Sequence, residues 1–254
     1  MKTKFIFRAA IACILTAAMF TGAVSAAVED DLKSLGLFIG TESGFELDRA
    51  PTIAEAAVIL VRLLGKEAET IEKNYECPFP VIPEWVSPYV GYMYENDLTD
   101  DLNHHDFTED KQCYVDTFCC IVLRALGYTR EAGDYDYTYT GGLVAPDDRP
   151  TVMELAEELG LLSDTLLANL ETINNVYNSY FRDYHLGGWQ WDIISVDPET
   201  GEETIFTEYD AWDIIFEYQE KYGFKRSDCA DIIQRALNTN IKGTDITLLE
   251  RLSA

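Results

Sequence analysis

The sequence predicts a mainly α fold, in which three helix–loop–helix repeats form a compact helical bundle and a small α+β lobe is inserted into the third repeat. Three observations support this prediction. A helix with both ends marked occupies residues 49–65, its C-terminal pattern recurs twice, and a shorter pattern precedes each copy. Such self-similarity indicates repeats that bury their apolar faces against one another.

The clearest predicted helix is at residues 49–65 (RAPTIAEAAVILVRLLG). Thr52 can cap its N-terminus, and Glu55 follows three residues later as the partner in a capping box. Residues 54–64 are almost wholly apolar, which is typical of a helix in the middle of a bundle. Gly65 follows the last apolar pair and suits a left-handed C-terminal cap.

The ending of this helix (VRLLG) recurs at residues 123–127 (LRALG) and 234–238 (QRALN), where asparagine is the usual substitute for the capping glycine. A shorter echo precedes each copy, at residues 35–37, 96–98 and 159–161. From the end of the echo to the arginine of the ending is 25 positions in the first unit, 26 in the second and 74 in the third. The third unit therefore contains 48 or 49 additional residues.

These spacings define the predicted organisation. The segments are a signal peptide at residues 1–26, repeats at 28–65 and 79–128, a third repeat at 150–164 plus 223–240, and an insertion at 165–222. The helices outside the insertion are predicted at 29–37, 52–64, from about residue 85 to 94, at 114–126, 151–162 and 226–237, with a short tail after them. Three prolines in residues 66–84 exclude a long helix there.

The insertion carries a hairpin pattern. Residues 189–196 and 204–209 have the composition of two strands, and the run Asp-Pro-Glu-Thr-Gly at 197–201 is a strong turn signal between them. Helices are predicted on either side, at 166–180 and 211–222. The aromatic and histidine side chains of this region could form a sugar-binding platform or the core of the lobe, and the core is the preferred interpretation; they are Tyr180, Tyr184, His185, Trp189 and Trp191.

The first 26 residues have the pattern of a signal peptide. A basic start at residues 2–8 precedes an apolar run at 9–20, and residues 24–26 (VSA) fit the cleavage rule. The apolar run is short for a membrane span. We therefore expect a secreted, soluble mature protein that begins after Ala26.

The chain is strongly acidic. Removal of the signal peptide takes away three bases and no acid, which changes the formal charge from −26 to −29. This charge argues against binding of nucleic acid or of anionic polymers by general attraction. Five cysteines remain, and their odd number and spacing predict no particular disulfide; Cys119 and Cys120 are expected to be small core residues.

No catalytic pattern stands out. The sequence contains no phosphate loop, nucleophile elbow or zinc-ligand motif, so we expect no enzyme, no cofactor and no metal site. His104, His105 and Asp106 could bind a metal, but an exposed polar loop is the better interpretation because adjacent loop residues point in different directions. A pair of carboxylates for glycoside hydrolysis is available in the insertion, although no spacing singles one out.

Taken together, these runs resemble the S-layer homology family, three-repeat modules of bacterial cell-surface proteins. The similarity lies in residues 40–65, 83–96, 122–128 and 224–238. The resemblance implies a three-pronged helical bundle that attaches non-covalently to a cell-wall secondary polysaccharide, typically a pyruvylated one, through pockets between repeats. It also implies a location at the bacterial cell wall.

The family's binding signature is a Thr-Arg-Ala-Glu run that opens the second helix of each repeat. The arginine slot holds Ile53 in the first unit and Val115 in the second, whereas the third unit (residues 225–228, KRSD) keeps Arg226. A guanidinium at a helix N-terminus can pair bidentately with a carboxylate ketal, and the free N–H groups there assist. At most one pocket is therefore expected to be intact, and binding is expected to be weakened.

The resemblance thus assigns glycan contacts to Arg226, Lys225 and Asp228 at the start of the last repeat helix, and to Trp85, which could stack on a sugar face. The alternative for Arg226 is a solvated or capping-region charge paired with Asp228. The alternative for Trp85 is a core aromatic. A second hypothesis for the whole chain is a degenerate scaffold whose insertion binds a protein partner at the cell surface.

Overall fold

A computed structural model describes residues 26–40, 44–99, 107–108, 110–128, 150–181, 192–196 and 203–254. These residues are mainly helical, as the sequence predicts. Contacts divide the chain into two compact units, one formed by Met1–Ser163 with Lys225–Ala254 and the other by Asp164–Phe224.

The secondary structure elements follow one another along the chain. They are α1 (Ala26–Ser34), α2 (Ile53–Leu63), α3 (Glu67–Lys73), α4 (Ser87–Glu95), α5 (Val115–Ala125), α6 (Val152–Glu158), α7 (Asp164–Phe181), β1 (Asp192–Val196), β2 (Glu203–Thr207), α8 (Glu208–Tyr222), α9 (Arg226–Leu237) and α10 (Leu248–Ser253). Helices α1 and α6 end three or four residues before their predicted C-termini, because the chain turns at Gly36 and Gly160.

Helices of the first unit pack in a cyclic order. Helix α5 packs against both α2 and α9, so these three helices, the second of each predicted repeat, form the centre. The first helix of each predicted repeat packs on the second helix of the preceding one: α4 lies on α2, α6 lies on α5, and α1 lies on α9. The central helices are almost wholly buried along their apolar faces, which explains why α2 is apolar nearly all round.

Five of the described helices end with the same local geometry. Gly65 has φ of +70°, and the following N–H, of Lys66, donates to the Val61 carbonyl at 3.0 Å. This is the Schellman arrangement, which needs a left-handed residue and satisfies a terminal carbonyl. The same left-handed conformation and backwards hydrogen bond recur after α1, α4, α5 and α6, at Gly36, Asp97, Gly127 and Gly160.

The last of the predicted caps is wrong. Asn238 has φ of −95° and is therefore not left-handed. Its side-chain amide instead donates to the Gln234 carbonyl at 2.9 Å. Asparagine carries its own donor and can satisfy the helix end without the backbone turn that glycine requires.

The arginine of the recurring helix ending makes comparable contacts in the second and third predicted repeats. Arg124 donates to the Leu98 carbonyl, and Arg235 lies 3.5 Å from the Gly160 carbonyl, so each reaches the turn that closes the first helix of its own predicted repeat. In the first predicted repeat Arg62 binds Glu67 of α3 instead, at 2.8 Å.

The C-terminal tail is folded, which the sequence analysis missed. Helix α10 carries a capping box between Thr247 and Glu250. The tail contacts two central helices at their C-terminal ends: Lys242 N–H donates to the Leu126 carbonyl at 2.9 Å, and Arg251 Nη2 donates to the Leu63 carbonyl at 2.8 Å. The run Thr-Leu-Leu-Glu at residues 247–250, in which the two leucines stand between the capping-box partners, was the available signal.

None of the cysteines among the described residues forms a disulfide. Cys119 is buried, as predicted, whereas Cys120 is partly exposed. Cys113 and Cys229 are buried too, and burial raises the pKa of all three buried thiols. They therefore act as small apolar side chains.

The second unit contains α7, the β1–β2 hairpin and α8. The strands are antiparallel, with Ile194 opposite Ile205, and each strand also packs against the helix next to it in the chain. The hairpin was predicted, but residues 208–209 belong to α8 and not to a strand. Residues 184, 185, 189 and 191, candidates for a sugar platform, lie outside the described residues.

Candidate functional site

The N-terminal ends of the three central helices meet at one end of the first unit. Backbone hydrogen bonds connect the segments that precede these helices. They are Ile53 N–H to the Lys111 carbonyl (3.0 Å), Cys113 N–H to the Pro51 carbonyl (2.8 Å), Arg226 N–H to the Arg49 carbonyl (3.0 Å) and Ser227 N–H to the Leu47 carbonyl (3.1 Å). The residues that the sequence aligned with the family's binding signature therefore lie at this end.

The three arginine slots occupy the same position in their helices. Ile53, Val115 and Arg226 are the first residues of α2, α5 and α9, directly after the capping residues Thr52, Tyr114 and Lys225. Of the three slots, only the third holds a cation at a helix N-terminus. The Arg226 and Ser227 N–H groups there already donate to carbonyls of the first predicted repeat.

Arg226 is buried, with 4% of its surface exposed. Its Nε donates to the Phe45 carbonyl at 2.9 Å, and its Nη1 donates to Glu55 Oε1. The guanidinium also lies over the ring of Phe38, 4.9 Å from the ring centre. Arg226 therefore joins the start of α9 to the first predicted repeat.

The carboxylate of Glu55 accepts hydrogen bonds from Arg49 and from the Thr52 N–H as well as from Arg226. Arg49 binds it with two nitrogens, Nη2 to Oε1 at 2.6 Å and Nη1 to Oε2 at 3.0 Å. The Thr52 N–H donates to Oε2 at 3.0 Å, and Thr52 Oγ1 accepts from the Glu55 N–H at 3.2 Å, which completes the predicted capping box. We call Arg49, Glu55 and Arg226 the Glu55 cluster.

The electrostatics of this cluster favour an ionised carboxylate. Burial by itself would raise the pKa of Glu55, but the hydrogen bonds from Arg49 and the Thr52 N–H, with the charge of Arg226, outweigh it and hold the pKa below its ordinary value. The same contact, through its hydrogen bond to Glu55, raises the pKa of Arg49. The cluster therefore consists of two cations that share one anion.

Asp228 has a different role from the one considered for it. Its Oδ2 accepts from the Lys225 N–H at 2.8 Å, which caps α9. The alternative in which Arg226 pairs with Asp228 is wrong, because Arg226 binds Glu55, and burial excludes the solvated alternative. The pKa of Asp228 is raised, chiefly by desolvation, whereas the pKa of Glu55 is lowered by its hydrogen bonds in spite of desolvation.

Trp85 precedes a different helix from these residues. It precedes α4, which packs on α2, and 48% of its surface is exposed. The alternative in which Trp85 is a core aromatic is therefore wrong. Tyr94, at the other end of α4, is exposed to a similar degree and packs edge-on against Phe79, with ring centres 5.6 Å apart.

The sequence analysis did not single out Arg49, Phe38 or the carbonyl of Phe45 as parts of the site. Arg49 stands three residues before Thr52, which places it near the capping box, but nothing in that spacing indicates a contact with the carboxylate.

Within the described residues, no group of three or more histidine, cysteine, aspartate or glutamate side chains is arranged to hold a metal ion. His104, His105 and Asp106 lie outside those residues. None of the described helices combines the length and the hydrophobicity that a membrane crossing requires.

Comparison of the sequence with models of known protein families finds no match, and comparison with curated proteins finds no relative. We therefore infer function from the residues and from the geometry that they adopt.

Proposed function

We propose that this protein is secreted and attaches non-covalently to the bacterial cell wall, through three S-layer-homology-like repeats that bind a secondary cell-wall polysaccharide weakly. The observation that supports this function best is the cyclic packing, in which each first helix lies on the second helix of the preceding predicted repeat. That packing brings the starts of α2, α5 and α9 to one end, where the family's signature would face a glycan.

Weak binding follows from the three arginine slots. Ile53 and Val115 offer no charge to an acidic sugar, and the guanidinium of Arg226 is already bound to Glu55. The candidate contacts that keep exposed surface are Lys225 and Asp228, which are partly exposed, and Trp85. An aromatic face and a cation are common partners of a carboxylated sugar.

The test is co-sedimentation of residues 27–254 with purified cell-wall sacculi, before and after acid extraction of the secondary polymer. We expect sedimentation with intact walls that is lost on extraction. Trp85→Ala should weaken it, whereas Tyr94→Ala, which removes an equally exposed aromatic from the other end of α4, should not. Equal sedimentation with both wall preparations would contradict the proposal.

A gain of binding provides a second test. Val115 is only partly buried at the first position of α5, so Val115→Arg should restore a slot arginine and strengthen wall binding. Val115→Lys is the matched control, because lysine has the charge but not the planar fork that pairs bidentately with a carboxylate. An arginine variant that binds no better than the lysine variant would argue against carboxylate recognition at this end.

A second candidate function is a scaffold at the cell surface whose insertion binds a protein partner. The burial of Arg226 against Glu55 favours it, because no slot arginine of the described repeats then faces solvent. A variant with residues 167–221 replaced by a short Gly-Ser linker tests it. If the full chain binds neither wall preparation and a surface protein is captured only when the insertion is present, this second function replaces the first.

A further inference from the structure

We propose that Glu55 is an internal ligand, whose carboxylate occupies a carboxylate-binding site made by Arg49, Arg226 and the Thr52 N–H and thereby keeps carboxylates from solution out of it. This inference rests on the proposed function in one respect: the external ligand in question is an acidic sugar of the wall polysaccharide. The presence of the site itself can be tested without any wall material.

The site has the donors that a free carboxylate would need. Arg49 approaches Glu55 with two nitrogens, Arg226 reaches Oε1 from α9, and the Thr52 N–H binds Oε2. Charge-assisted hydrogen bonds of this kind are among the strong ones, and a bidentate arginine fixes the orientation of the carboxylate. The start of α2 contributes a favourable helix dipole.

Contacts that do not involve Glu55 hold both guanidiniums in place. Arg226 is fixed by the Phe45 carbonyl and by the ring of Phe38. Arg49 donates to Glu46 at 3.1 Å and to the Ala50 carbonyl at 3.0 Å. Removal of the Glu55 side chain should therefore leave a preformed site with space for a small carboxylate, because its donors have other anchors.

The covalent attachment of Glu55 explains why the site is closed in the intact protein. A carboxylate on α2 is present at a high effective concentration, so a ligand in dilute solution competes poorly with it. An acidic sugar must exchange with Glu55 before it can reach Arg226. Glu55 is thus an autoinhibitory group for the slot that the third repeat has kept.

The first experiment compares sodium acetate with sodium chloride at equal ionic strength and neutral pH. In Glu55→Ala, acetate at about 100 mM should raise Tm saturably by roughly 3 °C relative to chloride. Acetate should have no such effect on the unsubstituted protein or on Glu154→Ala. Glu154 is the matched control because it makes the same capping contacts with Thr151 at the start of α6.

Glu55→Ala leaves a buried arginine without its carboxylate and can fail to fold in chloride. In that case refolding in acetate is the measurement, and recovery of the helical signal supports the proposal. The double variant Glu55→Ala with Arg226→Met should not be rescued. Failure of Glu55→Ala in both salts, or an equal effect of acetate on Glu55→Ala and Glu154→Ala, would overturn the proposal.

The second experiment measures sedimentation of Glu55→Gln with intact walls. The amide keeps the size and the capping oxygen of glutamate but is a weaker partner for two arginines, so binding should increase several-fold over the unsubstituted protein. Equal binding would overturn autoinhibition. If neither protein binds walls, the proposed function fails, and the acetate experiment alone decides whether Glu55 fills a carboxylate site.

Discussion

Different interactions hold the helices together at the two ends of the first unit. At the end where the central helices begin, Arg226 and Arg49 share the carboxylate of Glu55. At the other end the C-terminal tail buries Leu248 and Leu249 and donates to main-chain carbonyls of α2 and α5. The first end adds a largely buried ion pair to its backbone hydrogen bonds, whereas the second end adds apolar burial and an arginine that donates to a carbonyl.

This difference teaches where a ligand could act. A buried ion pair has a large desolvation cost and little net stabilisation, but its partners can be exchanged for another ion of the same charge. An apolar contact offers no such exchange. The charged end is therefore the place for binding chemistry, and the tail contributes stability.

The largest expected effect is the loss of the cation between repeats. Arg226→Met should lower the free energy of unfolding by about 3 kcal/mol, because the partly buried Glu55 loses one of its two arginines. Urea unfolding followed by circular dichroism measures this. Arg235→Met is the control on the same helix: its more exposed pair with Asp231 should be worth less than about 1 kcal/mol. Equal losses would contradict the comparison.

At the opposite end, Leu248→Ala should cost about 2 to 3 kcal/mol, since Leu248 is fully buried in the first turn of α10. The neighbouring Ile246 is 51% exposed, and Ile246→Ala should change stability by less than about 0.5 kcal/mol. The same unfolding measurement compares the two variants. Acetate should stabilise neither, in contrast to Glu55→Ala, and a tail variant that responds to acetate would remove the distinction between the ends.

A smaller effect is expected at the helix caps near the tail. Gly127 has φ of +88°, so Gly127→Ala should cost about 1 to 2 kcal/mol through backbone strain. Asn238→Gly should bring no gain, because Asn238 is not left-handed and would lose its hydrogen bond to Gln234. Thermal unfolding checks both. Stabilisation by Asn238→Gly would show that the third repeat can adopt the cap of the other two.

The smallest effect concerns pH at the charged end. The pKa of Glu55 is lower in the folded protein than in the unfolded chain, so its stabilisation is present above about pH 4.5 and is lost as the pH falls below that value. Glu55→Gln should therefore lose less stability than the unsubstituted protein on acidification. The pKa of Asp228 is raised, and Asp228→Asn should lose more. Unfolding curves from about pH 6 to about pH 3 give the loss of stability of each variant relative to the unsubstituted protein. If both variants lost less than that protein, or both lost more, the assignment would be contradicted.

The helices could be predicted from the sequence because their signals are local. The capping box of Thr52 and Glu55, the left-handed Gly65 and the starts of α2, α5 and α9 all depend on residues within a few positions of one another. The tail helix α10 has the same kind of signal, in Thr247 and Glu250, but it has only six residues and offers no extended apolar pattern.

The Glu55 cluster could not be predicted in this way. Arg226 and Glu55 are 171 positions apart, and their contact depends on how the third predicted repeat returns to the first. The residue pattern identified Glu55 as a cap and Arg226 as a ligand contact, but the same carboxylate serves as the cap and as the partner of both arginines. Exposure of Trp85 was likewise a tertiary property, since a tryptophan before a helix fits a core or a surface equally well.

The central claim is that the charge of Arg226 is used inside the protein, on Glu55. A double-mutant cycle with Arg226→Met, Glu55→Gln and the combined variant, measured by urea unfolding at neutral pH, tests it most directly. We predict that the double variant is more stable than the sum of the single changes requires, with a coupling energy of at least about 1.5 kcal/mol. Single changes that add within about 0.5 kcal/mol would contradict the claim and return Arg226 to the role of a free ligand contact.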